Sequence, residues 1–182
     1  MRILVDMDGV LADFERGFEE AWQAAYPDLP VVPVAQRRHP LVQDEYPPEL
    51  HGHVRAIFHA PGFFRALPPI PGGRAALEAL LALGCDVRLC TMPLLDYRHC
   101  VIEKYEWVER ELGPAWLERL ILTCDKTIIR ADALIDDRPQ LNGADVPTWE
   151  HILYDQPYNR ADRGKRRLTW QTWREVLFPD GV

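Results

Sequence analysis

From Pro71 onward, short apolar runs alternate with helical patterns, and each run stops at polar chemistry. Residues 85–91, 119–123, 133–135 and 151–154 read as strands, bounded by Thr91, Thr123, Asp136 and Asp155. A leucine-rich helix, opened by Gly72-Gly73 and closed by Gly84, precedes them. A charged amphipathic helix over 97–112 is stopped by Gly113-Pro114, and a terminal helix covers 170–178. At the other end, residues 2–5 form a further short strand that stops at Asp6-Met7-Asp8-Gly9. Strands alternating with helices predict an α/β fold, a parallel sheet with helices on both faces. In such sheets ligands bind beyond the carboxyl ends of the strands. Four of these ends are chemically equipped: Asp6 with Asp8, Thr91, the 123–126 segment, and Asp136 with Asp137. Residues remote in sequence are thereby gathered at one edge.

The remainder is organised differently. Leu11, Phe14, Phe18, Trp22 and Ala25 share one face of a helix over 11–26. Between Pro27 and Pro71 the chain's prolines cluster, so a loop-rich stretch is expected, with short helical pieces such as 49–59 and the aromatic pair Phe63-Phe64. A chain of 182 residues, 47% apolar, fits one domain or one domain with a small insertion. The net charge of −7 argues against a nucleic-acid or anionic-membrane binder but leaves room for a locally basic site. No apolar run approaches the ~18 residues that cross a bilayer. The first strand runs straight into Asp6, so no targeting peptide is expected. Cys85, Cys90, Cys100 and Cys124 form no metal-ligand spacing, and three lie in or beside apolar runs. A cytoplasmic, reduced protein is expected.

Asp6 and Asp8 flank one residue on a tight turn, and two carboxylates that close repel unless a cation or shared proton relieves them. By itself the turn reads as ordinary surface. An apolar strand before it and the acidic pair Asp136-Asp137 at another strand end change that reading. A third carboxylate makes a hard-oxygen site suited to Mg²⁺. Thr91 and Lys126 add a hydroxyl and an ammonium, which a phosphate needs. Phosphate-binding glycine loops, nucleophilic-serine elbows and zinc-protease signatures are all absent from the sequence.

These residues carry a resemblance. Asp6-Met7-Asp8-Gly9-Val10-Leu11-Ala12-Asp13-Phe14, Thr91, Lys126 and Asp136-Asp137 resemble the four motifs of the haloacid dehalogenase superfamily. Within it, Glu103-Lys104-Tyr105, Trp107-Val108-Glu109, Leu122-Thr123, Asp125-Lys126-Thr127, Leu134-Ile135-Asp136-Asp137-Arg138-Pro139 and Trp149-Glu150-His151 resemble the 5′(3′)-deoxyribonucleotidases. The resemblance implies a Rossmann-like core over 1–14 and 72–182, with a small helical cap over 15–71. It implies a Mg²⁺-dependent phosphatase of nucleoside monophosphates that prefers deoxyribose forms, uracil and thymine above all. Asp6 would be the nucleophile and Asp8 the acid/base, with Thr91 and Lys126 completing the catalytic set. The metal would involve Asp6, the Asp8 carbonyl and Asp137, with Asp136 behind them beside Lys126. Phe14 would lie against the base, and Leu41, Val42, Met92 and Lys104 would be further substrate contacts. The chain departs from the pattern at Pro40-Leu41-Val42, at Cys124 and at Met92. The first bears on base selectivity and the other two on phosphate affinity.

A small-molecule substrate, no nucleic-acid or membrane partner, and a monomer or homodimer are expected. The run from Arg160 to Arg167 reads as a solvated loop, His51 and His53 as exposed, and Trp107 and Trp116 as helix-packing residues. Two alternatives compete. One is a phosphatase of the same superfamily acting on a sugar phosphate or phosphoglycolate, decided by the cap. The other is an inactive phosphate-binding scaffold, which would lack Asp6 or Asp8; both are present.

Overall fold

A computed structural model describes residues 1–181. Six strands form one parallel sheet: β1 (Arg2–Val5), β2 (Asp86–Thr91), β3 (Leu120–Leu122), β4 (Ala133–Asp136), β5 (Glu150–Tyr154) and β6 (Arg167–Leu168). Their order is β3-β2-β1-β4-β5-β6. The sheet grows one way from β1 to β3 and the other way from β4 to β6. The order therefore reverses between β1 and β4, and the crevice of a doubly wound sheet opens at such a reversal. In register, Val5 pairs with Leu89 on one side and Ile135 on the other. The pairing runs one residue further, because Asp6 N–H donates to the Ile135 carbonyl at 2.9 Å.

Alternation divides the sheet residues between two faces. Ile3, Val5, Val87, Leu89, Ala133, Ile135 and Ile152 join the main core. Leu4, Cys90 and Leu134 face the other way, against Trp149 and the half-buried Ile121, Ile129, Ala131 and Leu141. Helix α1 (Phe14–Ala25) follows β1. It begins three residues later than the apolar spacing predicts, because residues 7–12 fold into a tight turn first. Leu11 and Ala12 N–H both donate to the Met7 carbonyl at 2.8 Å, and Gly9 takes φ +76°. Asp13 then caps the helix by accepting from Arg16 N–H. Leu11 is still core, held by the turn rather than by a helix.

Short helical turns and two helices, α2 (His51–Phe58) and α3 (Phe63–Ala66), carry the chain back to α4 (Gly73–Ala82) and β2. Helix α5 (Tyr97–Glu111) links β2 to β3, and α6 (Trp173–Leu177) closes the chain. Two further expectations are revised. Arg167 is not in a solvated loop: it lies in β6 and donates to Asp155 and to Asn159. His51 and His53 are half-buried, the first against the Tyr46 carbonyl at 2.9 Å and the second edge-on to Tyr26. Among the described residues, no helix is long and apolar enough to cross a membrane.

Candidate active site

The carboxyl ends of β1 and β4 bring Asp6, Asp136 and Asp137 together, each able to offer an oxygen within 4.8 Å of the others. All three are buried. Lys126 comes from the irregular crossover between β3 and β4. Its Nζ lies 2.7 Å from Asp6 Oδ1 and 2.6 Å from Asp136 Oδ2. The other Asp136 oxygen accepts from Arg138 N–H at 2.9 Å. Both Asp136 oxygens are thus committed within the protein. Asp136 lies within metal-ligating reach of the other two, and its hydrogen bonds also hold Lys126.

The electrostatics follow from burial. Asp6 is held above its ordinary value by burial, which outweighs the attraction of Lys126, and Asp136 pushes the same way. Asp137 is raised further, first by burial and then by Asp136 and Asp6. Burial opposes the Lys126 charge, but Asp6 and Asp136 more than offset it and hold its pKa above the ordinary value. Two of the three carboxylates share Lys126 and the third, Asp137, has no lysine, and the residual negative charge is what a divalent cation neutralises. The oxygen donors, their burial and their mutual approach fit such an ion.

Asp8 faces a second cation. Lys104, from α5, donates from Nζ to Asp8 Oδ2 at 2.5 Å and to Thr91 Oγ1 at 3.0 Å. Its ammonium sits 4.9 Å from the centroid of the Phe64 ring. The adjacent Glu103 accepts from the backbone N–H groups of Gly62, Phe64 and Arg65, and Trp107 Nε1 donates to the Leu67 carbonyl at 2.8 Å. One face of α5 thus fixes both Asp8 and the 62–67 segment.

These groups open into a cavity of about 290 Å³. Asp6, Asp8, Thr91, Lys126 and Asp137 line one end, and Phe14, Leu41, Val42 and Met92 line the walls. Lys104 and Asp136, also named from sequence, lie behind these walls, each wholly buried. Sequence reasoning did not single out Phe58, Leu94, Glu15 or Arg138 as cavity residues. Phe14 stands among Phe58, Phe63 and Phe64 at centroid distances of 6.3, 5.4 and 6.4 Å. Glu15 pairs with Arg37, whose guanidinium stacks 5.1 Å over Phe18. Burial outweighs that partner and pushes Glu15 up to about 7. Tyr158 was missed too: its hydroxyl donates to Asp137 Oδ2, and burial holds the phenol neutral. No local pattern announces such a residue; the closest hint is the turn after β5, a further strand end.

Strand order and site together define a hydrolase fold of the haloacid dehalogenase type. A solved HAD family hydrolase from Deinococcus radiodurans R1, with bound phosphate and sodium, shares it at a TM-score of 0.53 and 18% identity, covering 98% of this chain and 95% of that one. Residues 1–178 match the family described as 5′ nucleotidase, deoxy (pyrimidine), cytosolic type C, and the chain belongs to that family. A relative from Bordetella pertussis is 52% identical over 177 residues, covering 97% of this chain and 95% of its own. The human 5′(3′)-deoxyribonucleotidase, cytosolic type, is 46% identical over 187 residues, covering 97% and 93%.

Proposed function

We propose that the chain is a Mg²⁺-dependent 5′(3′)-deoxyribonucleotidase working through an aspartyl-phosphate. The observation that carries this reading is the pairing of two strand-end carboxylates with two different buried lysines, Asp6 with Lys126 and Asp8 with Lys104. The names of the relatives support the substrate class. An Asp6 oxygen attacks phosphorus, and the bond from phosphorus to the nucleoside oxygen breaks. Asp8, protonated, gives its proton to that leaving oxygen. Asp8 then takes a proton from water, which attacks phosphorus and releases inorganic phosphate with Asp6 restored. Thr91 and Lys126 hold the phosphate oxygens, and Lys104 orients Asp8. Asp6 and Asp137 would hold the metal, since Asp136 is already committed to Lys126. When bound, Mg²⁺ supplies the charge neutralisation that lets a phosphate dianion approach carboxylates.

Residues 15–71 act in this reading as a cap that closes over the core formed by 1–14 and 72–182. In this reading the sugar lies against the apolar Phe14, Leu41 and Val42, away from the polar Glu15, Gln43 and Arg138 that also line the cavity, so a 2′-hydroxyl there has no partner. Burying that hydroxyl unpaired costs about 1–3 kcal/mol, or roughly 5- to 150-fold in kcat/KM. Bases are expected to be distinguished less sharply, because Pro40-Leu41 offers little surface for stacking. Phosphate release from dUMP, UMP, dTMP, dGMP, GMP and a sugar phosphate tests the proposal, with and without a chelator. Equal kcat/KM for dUMP and UMP would reject the apolar sugar site. Turnover of the sugar phosphate alone, or activity surviving chelation, would reject the nucleotidase or the metal.

A further inference from the structure

We propose that Tyr158 makes the metal site selective among divalent cations, because its hydroxyl caps one oxygen of Asp137 and leaves that carboxylate a single oxygen for metal. The inference rests on the metal reading above. Asp137 Oδ2 is enclosed from two sides. Tyr158 Oη donates to it, and a β-carbon placed on Gly9 would lie only 2.8 Å from the same oxygen. That β-carbon would also lie 3.2 Å from Tyr158 Oη, so the hydroxyl and the glycine backbone close one corner together. Among the described residues, no donor reaches Asp137 Oδ1.

Tyr158 is itself braced. It is 5% exposed, and the residues beside it grip the same two elements. Asn159 Nδ2 donates to the Asp137 carbonyl at 2.7 Å and to the Tyr154 carbonyl at 2.8 Å. Gln156 Nε2 donates to the Gly9 carbonyl at 2.7 Å. The turn after β5 therefore fixes the orientation of Asp137 and the approach of Gly9 at once. Such outer contacts commonly set how a ligand presents itself to metal.

Mg²⁺ requires a near-octahedral set of single oxygens, whereas Ca²⁺ takes roughly six to eight and accepts both oxygens of one carboxylate. A carboxylate with one oxygen occupied suits the smaller ion. Removing the hydroxyl frees Oδ2, which gives Ca²⁺ a further ligand and gives Mg²⁺ only a looser one.

The test is Tyr158→Phe, which keeps the ring and its packing, with Tyr158→Met as a second variant that also lacks a donor. Mn²⁺ is bound in the absence of substrate, free Mn²⁺ is followed by electron paramagnetic resonance, and Mg²⁺ and Ca²⁺ compete for the site. The ratio of Ca²⁺ to Mg²⁺ affinity is expected to rise about tenfold in both variants, within the range that such outer contacts produce. Equal losses for the two ions, or no change in either, would overturn the proposal and leave Tyr158 a packing residue. Failure of the unaltered protein to bind Mn²⁺ would overturn the metal reading itself, and it would be seen before any substitution is made.

Discussion

Lys126 is 4% exposed and bonded to two carboxylates, so its replacement has two separable consequences. Lys126→Ala removes a preorganised cation from the phosphate site, and kcat is expected to fall at least ~100-fold, from a loss of roughly 3–4 kcal/mol. It also leaves Asp136, wholly buried, without its counter-charge, which is expected to cost about 3–5 kcal/mol of stability. Phosphate release at saturating substrate reads the first and urea unfolding the second. Asp6→Asn is expected to separate them the other way: it keeps shape and fold but offers no nucleophile. A purified variant retaining more than about a tenth of the activity, a barrier change below ~1.4 kcal/mol, would remove Asp6 from that role. The carboxylates and Lys126 were legible in the sequence because each lies at, or within three residues of, the end of an apolar run. Tyr158 and Glu103 were not. Their partners stand 21 and about 40 residues away, and only the folded chain brings them together.

Among the elements, α5 does the most to join the site to the 62–67 segment. Glu103 takes three N–H groups at the start of α3, a helix whose capping glycine, Gly62, has no side chain to do so. Hydrogen bonds to a charged group contribute about 1.5–3 kcal/mol. Glu103→Gln is therefore expected to speed amide exchange at Gly62, Phe64 and Arg65 while leaving exchange in β1 unchanged; equal protection in both proteins would remove the clamp. The larger elements were legible for physical reasons. Five strands were visible as apolar runs, and α4 and α5 as helical spacing between glycine stops. The start of α1 was misplaced because Leu11 is apolar in a turn as it would be in a helix. Strand β6 was invisible because it is two residues, Arg167 and Leu168, inside an arginine-rich run.

For the molecule as a whole, a half-buried histidine and a buried glutamate pull the pH dependence of stability in opposite directions. His151 is pushed down to about 4 by burial, with Lys165 and Lys126 adding to it, from an ordinary value of 6.5. Between those values the unfolded chain binds more protons, so stability is present above pH 6.5 and is lost as pH falls towards 4. Glu15 has the opposite sign. Its folded value of about 7 lies above the ordinary 4.5, so its contribution is present at low pH and is lost as pH rises through 7. His151→Leu removes the first slope. Unfolding free energy is then expected to gain less, or fall, between pH 4.5 and 6.5 when compared with the unaltered protein. Urea titrations at the two pH values measure it, and an identical difference in both proteins would mean that His151 is protonated in the folded state as well.

The central place of β1 has a consequence for how the chain is born. Its neighbours are β2 and β4, and β4 begins only at Ala133. A ribosome delivers β1 long before both partners exist, so Ile3, Leu4 and Val5, all wholly buried at the end, wait with at least one open edge. Parallel pairing over such separations forms slowly, and an unpaired apolar strand is a template for the wrong neighbour. The arrangement that puts Asp6 at the middle of the sheet thus exposes the nascent protein to aggregation until β4 emerges, and chaperone demand during translation should track that delay.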